Sequence, residues 1–579
     1  MKLDTKDALM VLLSLSFLGI TLFVMPRIDE AQPDPYFQFR IMPVFYWVGL
    51  SITIIAILRE VFLNKRENLR RVLGLFFVIM LSFYVFDIPR LFYQNPIYDD
   101  TYIFIGESYY AVHYGHTGWG HSLETPGLAL FSSQLELITG ISSISIAGII
   151  SLILPLLAIL FIYVIAESLI NKPTALLASL FYVSINWLGF DFNRQSFAIV
   201  IGMVVLYFIC KFFLGKSTRE FFLLVVVSYA ALVVTHPVSS LVAIAMVLAI
   251  ALMVPLIHFM RQRLLEMENG VEWKQSLRRA LILTAIFSLI WLMWNTYTGV
   301  NLEIAISTLD ETIRSIIGQR NVGEIISEIL PSYTVAYYPI VLLRLFEMVF
   351  AAVVGAILAL IILIKTDLYK NRLIVSSWFI GSMSIAIFGF YGGWLQLLFR
   401  PFLHASPAFS ILLSLWLLSK KSKHLKNNRL SRITLKTVKI TATTLMIIFL
   451  FSTPLTIFSH APFMYPPTEY FTHVDFVVRH GSGTLTTFAL GSEVGYFVLA
   501  YNVTSIKDVV EFNLSNSYRT IVTDYRAYIK DGFFVYEPTL TKAMTDLDIL
   551  MKQPAIARVY DVDTWEKAYF NQSINPTVP

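Results

Sequence analysis

The sequence predicts an all-α membrane domain that crosses the bilayer many times, followed by a small α/β domain. Three observations lead to this fold class. The side chains are 56% apolar and only 14% charged, with a mean hydropathy of +0.67, which is too apolar for a soluble chain of 579 residues. Apolar segments of helical length recur along the first 460 residues. Beyond them a short proline-rich linker precedes a stretch of lower hydropathy.

Each apolar segment is about long enough (roughly 17 to 25 residues) to cross a bilayer, and the lack of water there makes helices the expected structure. The thirteen segments lie near residues 8–25, 42–63, 72–91, 141–169, 174–190, 195–214, 221–235, 237–257, 280–297, 339–364, 374–391, 395–418 and 440–458. The first is interpreted as a retained helix because no small-residue cleavage site follows it. The membrane domain is thus predicted over 1–460, with longer polar loops at 92–140 and 298–338. The second loop has the apolar spacing of amphipathic surface helices.

Charge asymmetry predicts the orientation of the chain. Four loops on one side of the predicted bundle hold twenty Lys and Arg residues: 64–71, 258–279, 365–372 and 419–439. The positive-inside rule places these loops and the N-terminus in the cytoplasm. Three glycosylation sequons, at Asn502, Asn513 and Asn571, follow the last span and agree with an extracytoplasmic C-terminal domain. We therefore expect a multi-pass protein of the cell membrane.

Several function classes are excluded or disfavoured. The single cysteine, Cys210, permits no internal disulfide and no cysteine metal cluster. No GxxxxGK loop is present, so direct use of a nucleotide is disfavoured. The basic run at 419–439 lies between two predicted spans, where it is expected to contact anionic membrane lipids and no nucleic acid.

The C-terminal domain, 461–579, alternates short strand-like and helix-like segments, which favours a small α/β unit. The predicted strands are 484–490, 518–524 and 555–562, and the predicted helices are 492–501, 505–512 and 539–553.

The first polar loop has the highest density of ionisable side chains in the first half of the chain: Asp99, Asp100, Glu107, His113, His116, His121 and Glu124. A helix that begins at Asp100 places Asp100, Phe104, Glu107 and Tyr114 on one face. A carboxylate pair there can accept a proton or bind a divalent cation. The alternative is that Asp99 and Asp100 cap the helix. The histidine spacing is loose for a zinc site.

The string YDDTYIFIGESYYAVHYGH followed by ETPGLALFSSQLELITG resembles the first outer loop of GT-C glycosyltransferases, which use polyprenyl-phosphate sugars. That superfamily includes protein O-mannosyltransferases, aminoarabinose transferases and oligosaccharyltransferases, and the chain looks most like their archaeal relatives. The motif covers about 45 residues, whereas the layout of spans plus outer domain covers nearly the whole chain. The family loop follows the first span, and here it follows the third, so two N-terminal helices are an addition.

The resemblance implies roles for individual residues. The loop acid of the family is a general base or a metal ligand, and the matching positions are Asp100 and Asp99, with Asp100 favoured. The second outer loop of oligosaccharyltransferases carries two acids that hold a metal. Here the matching positions are Asp191 and Asn193, so a site for a divalent cation such as Mg or Mn is incomplete and a metal-independent mechanism is preferred. The alternative is that Asp191 pairs with Arg194.

A second group of candidates lies near the outer ends of predicted spans. Arg400 sits in an apolar run, where a guanidinium is costly and therefore a functional candidate, and its planar fork suits a phosphate. The resemblance also places a lipid-phosphate arginine there, and Arg194 is a second candidate for this role. The alternative for Arg400 is snorkelling to the headgroups. Four substrate-binding candidates share this surface: Glu107, His236, His404 and Trp394; for the histidines, a structural role is the alternative.

These residues predict an inverting glycosyltransferase that moves a sugar from a polyprenyl phosphate, such as a dolichol phosphate, to a protein, lipid or glycan acceptor on the outer face. Two alternatives remain open. One is a transporter or flippase of lipid-linked precursors, which needs polar residues near the bilayer midplane; Arg344 and Glu347 lie in or near a span. The other is a non-catalytic scaffold of a surface glycan or surface-layer assembly.

Overall fold

A computed structural model of the chain provides the structure. It describes residues 5–28, 36–63, 67–93, 96–97, 100–117, 123–186, 188–215, 218–265, 272–299, 310, 313–314, 338–364, 369–391, 395–419 and 429–459, together with five strands between 484 and 571.

Within these ranges the membrane domain is built of helices joined by short turns. In chain order it begins with α1 (Thr5–Val24), α2 (Phe37–Ile41), α3 (Val44–Phe62), α4 (Glu67–Ser82), α5 (Ile88–Leu91), α6 (Asp100–Tyr114) and α7 (Gly127–Thr139). It continues with α8 (Ser143–Leu169), α9 (Lys172–Ile185), α10 (Arg194–Leu214), α11 (Thr218–Val233), α12 (Pro237–Leu265) and α13 (Glu272–Thr298). It ends with α14 (Tyr338–Ile364), α15 (Tyr369–Tyr391), α16 (Leu395–Leu418) and α17 (Arg429–Phe458). A π-helical turn, Phe83–Asp87, joins α4 to α5.

Every apolar segment predicted from the sequence falls on one of these helices. Within the described ranges, 11 helices are long and apolar enough to cross a membrane. The two other predicted spans correspond to α9 and α11, which have 14 and 16 residues. The protein is therefore an integral multi-pass membrane protein, while the total of thirteen spans stays a prediction.

The centre of the bundle is α9. All of its residues from Thr174 to Ile185 are buried, as expected for a helix without a polar face. It packs against α3, α8, α16 and α17. The Thr453 hydroxyl of α17 donates a hydrogen bond to the Val183 carbonyl of α9 at 3.2 Å, which ties the last span to this centre.

The two N-terminal spans form a pair at the side of the bundle. Helix α1 packs on α3, and Arg59 of α3 forms an ion pair with Asp7 of α1. Only 17% of the α1 span is buried. The pair is joined to the rest of the bundle through α3, which also packs on α4 and α9.

The described strands of the C-terminal region form one mixed sheet in the order β2-β1-β3-β5-β4. Their bounds are β1 (Thr484–Thr487), β2 (Ile506–Asp508), β3 (Tyr518–Asp524), β4 (Ile556–Asp561) and β5 (Glu566–Asn571). Strands β1, β3 and β4 confirm the predicted strands. The predicted helix over 505–512 is wrong at β2, which pairs in parallel with β1, and β5 was not predicted. The other two predicted helices, and Asn502 and Asn513, lie outside the described residues.

Candidate functional site at one end of the bundle

The first polar loop contains two helices. The predicted helix at Asp100 is confirmed as α6, which ends at Tyr114. Gly115 follows with φ of +72°, a left-handed conformation that glycine adopts without strain. Phe104 and Glu107 are buried, whereas Tyr114 is exposed. Asp99 and the side chain of Asp100 lie outside the part of the chain that the structure describes.

Helix α6 is packed on α7. The hydroxyl groups of Ser108 and Ser132 form a buried hydrogen bond between the two helices. On the exposed side, the His113 ring stacks on Tyr109 with 3.7 Å between ring centroids. The position of α6 is thus set by its contacts with α7.

The start of α7 in turn lies against the turn between α11 and α12. The Gly127 N–H donates to the Val234 carbonyl at 3.0 Å. A Cβ atom on residue 127 would lie only 2.4 Å from Oγ1 of Thr235, so glycine is required for this close approach. The next residue of the turn is His236, and the polar loop is therefore docked beside it.

Arg194 connects α6 to α10. The Asn193 side chain caps α10 by accepting from the Ser196 N–H at 2.8 Å, which places Arg194 in the first turn. Its guanidinium lies over the Phe104 ring, 5.1 Å from the centroid, in cation–π geometry, and donates to the Thr125 hydroxyl. Phe104 is one helical turn after Asp100, so Arg194 helps to hold the start of α6.

Asp191 forms a buried ion pair with Arg90. Nη2 of Arg90 lies 3.0 Å from Oδ1 of Asp191, and both side chains are buried. Arg90 also donates to the Ser151 carbonyl. A divalent cation on this carboxylate would face the guanidinium at close range, so Asp191 does not fit a metal site. No group of three or more His, Cys, Asp or Glu side chains suited to a metal occurs among the described residues.

His236 and His404 are joined by a serine. Oγ of Ser239 lies 3.0 Å from Nδ1 of His236 and 2.9 Å from Nε2 of His404. The Ser239 backbone N–H also donates to Nδ1 of His236 at 3.2 Å. All three side chains are buried. The contact links the start of α12 to α16, and it joins two histidines that were predicted to share one surface.

Arg400 lies one helical turn before His404 on α16, where it is partly buried. The pKa of His236 is lowered well below its usual value, first by burial and then by the positive charges of Arg400 and Arg194. His236 is therefore a neutral ring that lies within the fields of both arginines. We call the end of the bundle that carries Arg194, His236 and Arg400 the polar end.

Solved structures share this architecture. ArnT from Cupriavidus metallidurans, bound to undecaprenyl phosphate, matches with a TM-score of 0.50 and 12% identity over 87% of this chain and 98% of its own. The membrane domain has the GT-C fold. AglB from Archaeoglobus fulgidus, an oligosaccharyltransferase in complex with an inhibitory peptide and a dolichol-phosphate, matches with a TM-score of 0.49 and 11% identity over 89% of this chain and 76% of its own. No family model and no curated protein matches the sequence.

Within this GT-C fold, four of the predicted site residues lie at the polar end: Arg194, His236, Arg400 and His404. Trp394 lies outside the described residues. Sequence reasoning missed Ser239, although it stands one turn after His236 in THPVSS, a spacing at which helical side chains meet. It also missed the role of Arg90. A charge beside an apolar run is costly to bury, and this cost marks Arg90 as a candidate.

Proposed function

We propose that the protein is a membrane glycosyltransferase that moves a sugar from a polyprenyl-phosphate donor to an acceptor hydroxyl or similar group. The observation that carries this proposal is that Arg194 and Arg400 lie at the same end of the bundle as the buried His236, whose ring senses both positive charges and is hydrogen-bonded to Ser239. Two guanidinium groups offer charge-assisted hydrogen bonds that suit a phosphate. The likeness in fold to ArnT, which was solved with undecaprenyl phosphate bound, supports a lipid-linked phosphate as the ligand.

In the proposed reaction the acceptor oxygen attacks the anomeric carbon as the bond from that carbon to the phosphate oxygen breaks. The acceptor proton passes to a carboxylate, for which Asp100 is the first candidate and Asp99 the second. The polyprenyl phosphate leaves with its negative charge stabilised by Arg400 and Arg194. Attack opposite the leaving group inverts the anomeric configuration. A protein, a lipid or a glycan serves as acceptor, Glu107 and Trp394 are proposed to help bind the substrates, and His404 contributes through its hydrogen bond to Ser239.

We propose that the polar end faces the outside of the cell membrane. The N-terminus is then cytoplasmic, and the C-terminal domain, with its sequons at Asn502, Asn513 and Asn571, is extracytoplasmic. Twenty Lys and Arg in the four opposite loops support this orientation. We propose a mechanism without a metal on Asp191, because Arg90 engages that carboxylate. A Mg or Mn ion, if the enzyme uses one, would need Asp99 and Asp100.

A flippase is the rival suggested by buried polar residues within the spans. Glu347 of α14 is buried, and the Ser452 hydroxyl of α17 donates to it at 3.4 Å. This contact between helices gives Glu347 a structural role. Release of polyprenyl phosphate from the donor in detergent solution, where no bilayer exists to flip across, separates a transferase from a flippase.

Replacement of Arg400 tests the phosphate site. A charge-assisted hydrogen bond is worth about 1.5 to 3 kcal/mol, so Arg400→Ala should weaken the affinity for undecaprenyl phosphate by about tenfold to a hundredfold. Arg400→Lys keeps the charge and should lose less. The affinities are measured by titration of the purified full-length protein.

The control is Arg314→Ala, which removes an exposed arginine paired with Asp310 and should leave the affinity unchanged. Equal binding by wild type, Arg314→Ala and Arg400→Ala would remove Arg400 from the proposed site.

A further inference from the structure

The hydrogen-bonded chain of His236, Ser239 and His404 has a direction that can be worked out from its donors and acceptors. A backbone N–H only donates, so the contact from the Ser239 N–H makes Nδ1 of His236 an acceptor. The proton of the neutral His236 ring is therefore on Nε2. The hydrogen bonds that surround the ring determine this tautomer.

The Ser239 hydroxyl then completes the chain. It has one proton, and its oxygen contacts a nitrogen of each ring. Both contacts are hydrogen bonds only if the hydroxyl donates to Nδ1 of His236 and accepts from Nε2–H of His404. In the opposite arrangement two lone pairs would face each other at 3.0 Å. Hydrogen bonds are therefore donated from His404 to Ser239 and from Ser239 to His236.

One donor remains at the end of this chain. Nε2–H of His236 makes no hydrogen bond to another residue within the described ranges. Burial and the charges of Arg400 and Arg194 keep the ring neutral, so a third positive charge is not added beside the two guanidinium groups. A neutral N–H within the fields of two arginines adds a hydrogen bond for an anion without further charge repulsion.

We propose that Nε2–H of His236 donates a hydrogen bond to the phosphate of the polyprenyl-phosphate ligand, with Ser239 and His404 as positioning residues that keep the ring in this tautomer. This inference rests on the proposed function. It assigns Ser239, which no sequence motif indicated, a part in the affinity for the lipid phosphate.

Two amide substitutions of His236 separate a ligand-binding role from a structural one. The amide nitrogen of glutamine reaches the position of Nε2, so His236→Gln keeps the donor to the phosphate. The side-chain oxygen of asparagine takes the place of Nδ1, so His236→Asn keeps the acceptor for Ser239 and loses the donor. We expect His236→Asn to weaken the affinity for undecaprenyl phosphate by about tenfold to a hundredfold and His236→Gln to stay within about threefold of wild type.

The opposite order, with tight binding by His236→Asn and weak binding by His236→Gln, would show that the ring only supports the turn and would overturn the proposal. Wild-type affinity in both variants would overturn it as well. His258→Asn is the matched control, because His258 stacks on Trp273 away from the polar end. If the wild-type protein itself binds no undecaprenyl phosphate, that result contradicts the proposed function and not only the role of His236.

Ser239→Ala provides a second test in case the His236 variants do not fold. It removes one hydroxyl and leaves the backbone N–H in place, so the affinity should fall by about twofold to tenfold while the maximal rate with saturating donor changes less. An unchanged affinity in a Ser239→Ala protein with wild-type thermal stability would contradict the positioning role.

Discussion

Replacing Asp99 and Asp100 together with asparagine is expected to lower the rate of sugar transfer by about 10² to 10⁴ fold. Asparagine has nearly the shape of aspartate but does not accept the acceptor proton, and a positioned general base contributes a factor of that size. The rate is measured as release of polyprenyl phosphate from a polyprenyl-phosphate sugar by the purified full-length protein. The single variants show which acid is the base, and Asp100→Asn should have the larger effect.

Binding of undecaprenyl phosphate is the control for this pair. The base acts on the acceptor, so the double variant should bind the lipid phosphate about as tightly as wild type does. A correctly folded double variant that transfers sugar at the full rate would contradict the assignment of Asp99 or Asp100 as the general base. Loss of transfer together with loss of lipid binding would indicate that the acids support the position of α6, which starts at Asp100 and carries Phe104 beneath Arg194.

Removing Arg90 is expected to lower the free energy of unfolding by about 3 to 5 kcal/mol, the range for removing one partner of a buried ion pair. Arg90→Met leaves the buried carboxylate of Asp191 without its guanidinium and without the bond to the Ser151 carbonyl. The double variant Arg90→Met/Asp191→Leu removes both charges and should recover most of this loss. Unfolding in mixed micelles, followed by tryptophan fluorescence, provides the measurement.

Arg314→Ala is the matched control for this stability test. Arg314 and Asp310 form an ion pair at 2.8 Å whose side chains are 78% and 56% exposed, and such pairs contribute at most about 1 kcal/mol. If Arg90→Met were no less stable than Arg314→Ala, the Arg90 pair would not hold the turn that leads into α10 and to Arg194.

The membrane helices were predictable because the bilayer leaves few alternatives. A long apolar segment in lipid satisfies its backbone hydrogen-bonding groups only as a helix. Each predicted segment overlaps an observed helix, and most of the predicted ends lie within a few residues of the observed ends. The ends of α6 were also predictable, from Asp100 at its start and Gly115 after its end. The strand at Ile506–Asp508 was not, because short apolar segments suit a helix or a strand equally well without their partners.

Several residues of the candidate site were named from the sequence, but their contacts were not. The cost of a charge near lipid brought Arg400 forward, and Arg194 was named because it lies in the predicted second outer loop. The contacts between distant residues could not be read from one sequence: Arg90 and Asp191 are 101 positions apart, and Ser239 and His404 are 165 positions apart. Local spacing is informative about one helix, whereas these bonds depend on which helices pack together.

Mass spectrometry of the full-length protein, purified in mild detergent, tests most directly whether the polar end binds a lipid phosphate. We predict a bound polyprenyl phosphate in the wild-type protein, and its loss or strong depletion in Arg400→Ala. A wild-type protein that carries no polyprenyl phosphate and takes up none when undecaprenyl phosphate is added would contradict the proposed function.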